Sequence, residues 1–266
     1  MRITEVDDLS RIETALDLAA AALEPFTPGA IASRMKEGDD PVTAADLAVN
    51  EALLAALPRA DEGWLSEETR DDADRLRRSR VWVVDPVDGT REFIQGIPEW
   101  CVSVGLVIDG KPVAGGIMSP SAGHRMVGSV DDGVTLDGAR AGTTASDRLE
   151  GALVLASRSE VKRGEWAPFF STPISVRNMG SVAYKLGCVG AGLADATWTL
   201  VPKHEWDVAA GAALVLAGGG AVFGPDGEEI VFNQANPKLP GFVAAAGGLE
   251  SSLRDFLKRH RHSDGA

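Results

Sequence analysis

At 266 residues, with 44% hydrophobic and 24% charged side chains, the chain is long enough for a substantial core in one large domain or two fused halves. Its formal net charge of −13 argues against a nucleic-acid polymer as partner, because phosphate backbones are held by basic surfaces. A small phosphorylated ligand stays open, since a bound cation reverses the local sign.

The amino-terminal segment lacks a basic stretch followed by an uninterrupted apolar run, and no long apolar window is free of charge. Neither a secretory leader nor a membrane span is therefore expected, and the reading places the protein in the cytoplasm. Cys101 and Cys188 sit in apolar runs with no basic neighbour and read as two buried, reduced thiols.

In chain order, Ile12, Ala15, Leu16, Ala19, Ala20 and Leu23 recur at helical spacing behind a capping box of Ser10 and Glu13, and Pro25 stops that helix. A second helix is expected from Thr43, with Leu47, Leu53, Leu54 and Leu57 on one side and Pro58 at its end. After "GWLSEET" and a charged stretch comes a buried strand over Val81–Val84. From Val102 the texture turns to strands. Asp109-Gly110, Asp132-Gly133 and Asp137-Gly138 mark turns, which predicts an antiparallel sheet over about residues 100–142. The polar run "GTTASDRLEG" is the candidate boundary between an α+β half, 1–146, and an α/β half, 147–266. In the second half strands and helices alternate: "ALVLAS", helix "SEVKRGEWAPFF", "ISVRN", helix "SVAYKLGCVGAG", "ADATWTL", helix "EWDVAAGAALVLAGGG", "GFVAAAG" and a last helix. This order suggests a layered sandwich of two subdomains.

The chemistry concentrates in "DPVDGTREF", which follows the apolar "VWVV". Asp85 and Asp88 cannot both sit charged in one dry pocket, and as turn residues they would simply be solvated. Yet Asp46, the pair Glu67-Glu68, and Asp207 stand in the same way at the edges of apolar elements. Carboxylates converging at element ends, without a Cys or His cluster, describe hard oxygen ligands for Mg²⁺ or Mn²⁺. Two such ions can clamp the attacking and leaving oxygens of a phosphoryl transfer. Gly89 and Thr90 then open a helix whose backbone N–H groups face a phosphate. Asp46, three residues after Thr43, reads equally as a capping-box acid, and Asp207 as an acid compensating a helix dipole.

"WVVDPVDGTREF", "LSEE" and "EWDVAAG", in this order and spacing, resemble the lithium-sensitive inositol monophosphatase superfamily, which includes 3′(2′),5′-bisphosphate nucleotidases and fructose-1,6-bisphosphatases. The likeness runs from "KEGDDPVTAAD" to "AALVLAGGG" and implies a layered αβαβα sandwich with two or three Mg²⁺ ions. It further implies that Glu68, Asp85 and the Val87 carbonyl hold the first metal, and that Asp85, Asp88 and Asp207 hold the second. Glu67 would organise bound water. Thr90 and Asp46 would deprotonate the attacking water, and the Gly89 and Thr90 amides would hold phosphate. Arg91, Arg158 and Lys185 are candidates for a second phosphate, with surface charge as the plain alternative. Ser181 and Glu205 complete the substrate-binding set. His124, His204, His260 and His262 read as surface or tail.

Within the superfamily the signals divide. "DGTREF", "SRSE" and "HEWDVAAG" lean toward the nucleotidases, whereas "GSVAYKLGCVGAG" has the spacing of the inositol enzymes. Gly38 replaces the acid of a third metal site, with Asp39 or Asp40 as substitutes, and Lys36 is a solvated charge or a partner for the anionic site. Leu200 stands where inositol enzymes carry a hydroxyl-gripping glutamate. The sequence reading is thus a Mg²⁺-dependent phosphomonoesterase for adenosine 3′,5′-bisphosphate, with inositol-1-phosphate or a sugar phosphate as alternative and a non-catalytic phosphate binder as the remote one. A homodimer is compatible with the resemblance.

Overall fold

A computed structural model describes residues 3–5, 7–35 and 41–261. Lys36, Gly38, Asp39, Asp40 and His262, with the expectations attached to them, lie outside the described residues.

Five layers stack on one another. Helices α1 (Asp8–Leu23) and α2 (Ala44–Ala56) form the first, packed on a seven-stranded sheet. That sheet runs, in spatial order, Gly63–Ser66, Arg80–Asp88, Cys101–Ile108, Lys111–Ser119, His124–Ser129, Gly133–Leu136 and Ala139–Ala141. Its first pair is parallel and the rest antiparallel. After the short helices α3 (Thr90–Gln95) and α4 (Arg158–Lys162), the chain supplies α5 (Val182–Gly190) and α6 (Glu205–Ala217), which form the central layer. A five-stranded sheet follows, in the order Ser175–Met179, Leu153–Ser157, Ala196–Thr199, Phe242–Ala245, Ala221–Phe223. Helix α7 (Glu250–Arg261) covers its far side through Leu253, Phe256 and Leu257.

Strand alternation explains why both faces of the large sheet are covered. Trp82 and Val84 point to α1 and α2, while Val81 and Val83 join the core under α5 and α6. Helix α6 lies very close to this sheet. A Cβ on Gly105 or Gly115 would come within 2.8 Å and 2.4 Å of the backbone of Ala210, so only glycine lets the helix settle there.

The structure moves several predicted boundaries. Helix α1 starts at Asp8, ahead of the Ser10–Glu13 box, because the Asp8 carboxylate already accepts the Glu5 N–H at 2.7 Å. On α2 the buried face is Ala45, Val49 and Leu53; Leu47 and Leu54 face outward. The antiparallel sheet begins well before residue 100, since Gly63–Ser66 and Arg80–Asp88 belong to it. "SEVKRGEWAPFF" yields only α4 and a 3₁₀ turn at Ala167–Phe169, because Gly164 adopts φ +84° and Pro168 follows. No helix among the described residues is long and apolar enough to cross a membrane.

Candidate active site

The strand Arg80–Asp88 delivers Asp85 and Asp88 in buried positions at its end. Its pairing with Cys101–Ile108 slips between Asp85 and Asp88, and the Val87 N–H turns back onto Asp85 Oδ1 at 3.0 Å. Gly89 then carries the chain into α3 with φ +96°, and a Cβ there would press within 3.0 Å of the Glu99 carbonyl. Asp207 reaches the same place from the first turn of α6, where its Oδ2 accepts the His204 N–H at 2.9 Å. The dipole-compensating position read from the sequence is therefore occupied, and the side chain also faces the two strand-end aspartates.

Asp85, Asp88 and Asp207 each present an oxygen within 4.8 Å of the others. Burial, followed by the charges of Glu67, Asp88 and Asp207, pushes the Asp85 carboxyl well above the usual carboxylate range. Burial and then Asp88 and Glu67 do the same to Asp207. Three acids converging in a dry place repel one another unless a cation joins them. An all-oxygen donor set of this kind fits Mg²⁺ or Mn²⁺. A second acidic group, Glu5, Asp7 and Asp8, is different in kind: Arg59 pairs with Glu5 and Asp7, and Arg80 with Asp8, so its charge is already met.

The glutamate pair lies in the turn that follows the strand Gly63–Ser66. The Glu67 N–H continues the parallel pairing onto the Val84 carbonyl at 3.4 Å, and Glu67 lines the cavity beside Asp85. Glu68, one residue on, is not on that wall; its N–H turns back to Ser66 Oγ at 3.3 Å. In this turn Glu67, and not Glu68, is the glutamate placed beside Asp85.

Asp46 does two things at once. Its Oδ2 accepts the Thr43 N–H at 2.9 Å and the Thr43 hydroxyl at 2.5 Å, which closes the cap of α2. Its Oδ1 accepts the Thr90 hydroxyl at 2.9 Å. Thr90 Oγ1 also stands 2.9 Å from the Val87 carbonyl. One hydroxyl proton serves one acceptor at a time, so whichever carbonyl or carboxylate takes it leaves the Thr90 lone pairs facing the cavity.

These groups surround a cavity of about 520 Å³. Its acidic floor holds Glu67, Asp85, Asp88 and Asp207, with Val87, Gly89 and Thr90 beside it. Its other charged and aromatic lining is Arg91, Lys203, Lys238, His204 and Trp206, with Glu92 as a further acid. The imidazole of His204 and the indole of Trp206 stack 4.3 Å apart at 4°. Sequence reasoning named Arg91 as a candidate for a second phosphate, placed His204 on the surface, and did not single out Lys203, Lys238 or Trp206. Proximity to Asp207 in "PKHEWD" was the available signal for Lys203, His204 and Trp206. Lys238 had none, because only the antiparallel pairing of His204 with Lys238 brings it there.

Four predicted substrate contacts lie elsewhere. Lys185 is enclosed, its Nζ bonded to the Ser181 carbonyl at 2.6 Å. Ser181 stands behind Asp88 and donates to its Oδ2 at 2.6 Å. Arg158 is held by Glu99 at 2.5 Å, off the cavity wall. Glu205 is fully buried and accepts the N–H groups of Asn233 at 2.7 Å and Gln234 at 2.9 Å, tying that loop to the start of α6. Leu200 likewise packs beside the Trp166–Trp198 core instead of walling the cavity. Of the histidines, His124 bonds the Tyr184 hydroxyl at 2.8 Å, and His260 packs on Phe256 at 4.3 Å.

An oxygen-donor trio, two aspartates buried at a strand end and the half-buried Asp207 from α6, beside an open cavity in a five-layer sandwich, defines with the family match a metal-dependent phosphatase acting on small phosphorylated substrates. Residues 7–262 match the inositol monophosphatase family, and the chain belongs to it. The 3′-phosphoadenosine 5′-phosphate phosphatase of Mycobacterium bovis is 34% identical over 208 residues, covering 75% of each chain. Inositol monophosphatase 2 of Solanum lycopersicum is 30% identical over 234 residues, covering 82% of this chain and 88% of its own. Among solved structures, an inositol monophosphatase from Zymomonas mobilis superposes with a TM-score of 0.78 at 26% identity, over 97% of this chain and all of the other.

Proposed function

We propose that this phosphatase removes the 3′-phosphate of adenosine 3′,5′-bisphosphate with the help of Mg²⁺. The observation that carries the substrate reading is the composition of the cavity rim. Arg91, Lys203 and Lys238 offer charge to a second anionic group, and the stacked His204–Trp206 pair offers a flat face to a base. An inositol ring would leave both without a counterpart. These residues replace Arg158, Lys185 and Leu200 in the argument for a nucleotide. The relatives named above carry names of both substrate types, so the reading rests on the rim.

In this reading Glu67, Asp85 and the Val87 carbonyl would hold one Mg²⁺, and Asp85, Asp88 and Asp207 would hold a second, with Mn²⁺ as substitute. Such ions supply Lewis-acid stabilisation of the phosphoryl oxygens. The protein's own part is proton handling and orientation. Thr90 Oγ1 takes a proton from the attacking water as its own passes to Asp46; the water oxygen bonds to phosphorus in line as the P–O3′ bond breaks, and the departing 3′-oxygen takes a proton from solvent. Asp46 is kept in place for this by its two bonds to Thr43. The Gly89 and Thr90 amides steady the phosphate.

The test is a comparison of kcat/KM for adenosine 3′,5′-bisphosphate, inositol-1-phosphate and fructose-1,6-bisphosphate at equal Mg²⁺. The nucleotide is expected to win by about tenfold or more, the value of one charged hydrogen bond. Alanine at Lys203 or Lys238 is expected to erode that margin. A tenfold preference for inositol-1-phosphate would replace the reading with its alternative.

A further inference from the structure

Lys185 is a lysine with almost no contact with water: 2% of its surface is exposed, in the middle of α5. Burying an ammonium is costly unless it finds partners, and its partners here are backbone carbonyls. Nζ donates to the Ser181 carbonyl at 2.6 Å and lies 3.5 Å from that of Met179. Ser181 is itself unusual. It is one of the few residues other than glycine at positive φ, with φ +54° and ψ +123°. Such a conformation persists only where the surroundings enforce it, and it clusters at working sites. The chain on both sides of Ser181 is indeed gripped. The Gly180 N–H donates to Glu99 Oε2 at 2.8 Å, and the Ser181 carbonyl is taken by Lys185.

The grip has an outcome at the acidic floor. The Ser181 hydroxyl donates to Asp88 Oδ2 at 2.6 Å, and the Ala183 N–H donates to the same oxygen. Ser181 Oγ also accepts the Tyr184 N–H at 3.0 Å, which fixes where its proton can point. Two donors on Oδ2 set the rotation of the carboxylate and leave Oδ1 as the oxygen with lone pairs for a cation.

We propose that Lys185 is a positioning residue for the metal site: its buried ammonium clamps the Ser181 carbonyl, holds that residue at positive φ, and thereby presents the Ser181 hydroxyl to Asp88. The inference rests on the reading of Asp88 as a Mg²⁺ ligand. Lys185 touches neither substrate nor cation; its charge also bears on Asp88 through space, and the positioning effect is the part that passes through Ser181.

That last point makes it testable by non-additivity. Mg²⁺ alone is titrated calorimetrically into the wild type, Lys185→Met, Lys185→Gln (too short to reach the carbonyl but still polar), Ser181→Gly and the Met–Gly double variant. Asp88→Asn is the reference. Lys185→Met, Lys185→Gln and Ser181→Gly are each expected to weaken Mg²⁺ binding about tenfold, the usual size for a partner behind a metal ligand. The double variant should lose clearly less than the sum of the two single losses, because without the Ser181 hydroxyl the clamp has nothing left to position. Ser181→Gly is expected to stay folded, because the relief at positive φ offsets part of the loss of its bonds with Asp88 and the Tyr184 N–H. In phosphate release, kcat should fall and substrate KM stay put.

Wild-type Mg²⁺ affinity in either folded Lys185 variant, even with a lowered melting temperature, would overturn the proposal. So would fully additive losses in the double variant. Unchanged Mg²⁺ binding in Asp88→Asn would instead refute the assignment of the ligand on which the inference stands.

Discussion

Replacing Asp46 by Asn separates its two roles, because the amide keeps the shape and loses one acceptor. The carboxylate receives three donors: the Thr43 N–H and hydroxyl on Oδ2, and the Thr90 hydroxyl on Oδ1. The amide oxygen of Asn can take the two Thr43 donors and keep α2 capped. Its NH₂ then faces Thr90 Oγ1, which has to accept and turn its proton to the Val87 carbonyl, 2.9 Å away. Stability should fall modestly, because charge-assisted bonds become neutral ones, a loss of about 1–2 kcal/mol. Turnover should fall much further. Loss of the group that takes the proton costs about 10²–10⁴-fold, or ~3–5 kcal/mol of barrier. The assay is kcat for phosphate release at saturating Mg²⁺ and substrate, paired with a urea unfolding curve. A kcat within about fivefold of wild type, in a variant whose unfolding midpoint moves as expected, would refute the dyad. A large loss of stability with a proportionate loss of activity would reduce Asp46 to a helix cap.

Three further outcomes are expected. Glu62, bonded to Arg11, Trp82, Arg80 and the Arg59 N–H, has its carboxyl lowered from 4.5 to about 2, and the donors outweigh the opposing cost of burial. That shift corresponds to about 3 kcal/mol, present above the unfolded value and lost as pH falls toward 2, so Glu62→Gln should destabilise strongly at pH 7 and hardly at all near pH 2 in urea unfolding. Asp85 and Asp207 carry the opposite sign: both are raised, first by burial, so the metal-free protein should lose stability as pH climbs from about 4 through their raised values. Mg²⁺ should reverse this and release protons on binding, read by calorimetry in buffers of different ionisation enthalpy; a flat profile in chelator would contradict it. Lithium, as the family resemblance implies, should inhibit uncompetitively with respect to substrate, and purely competitive inhibition would argue against occupation of the position between Asp88 and Asp207.

The alternation of strands and helices, the catalytic strand and the acidic motif were legible in the residues themselves. They depend on short-range properties: apolar period, turn chemistry, and carboxylates at the ends of buried runs. Asp85, Asp88 and Gly89 sit on one strand and turn, so their association needed no knowledge of the rest of the chain. Asp207 was found because "EWDVAAG" marks a helix start. What the tertiary structure alone decided was direction. Whether Glu67 or Glu68 faces the cavity depends on the turn after the strand Gly63–Ser66, where the Glu67 N–H meets the Val84 carbonyl and the Glu68 N–H turns back to Ser66. Lys185 and Lys238 are equally charged in the sequence. One is sealed behind Asp88 by the packing of α5, and the other is carried to the cavity rim by its pairing with His204. A side chain's type is local, but its orientation is set by elements distant in the chain, so the aspartates and the neighbouring Arg91 could be read in advance while Lys203 and Lys238 could not.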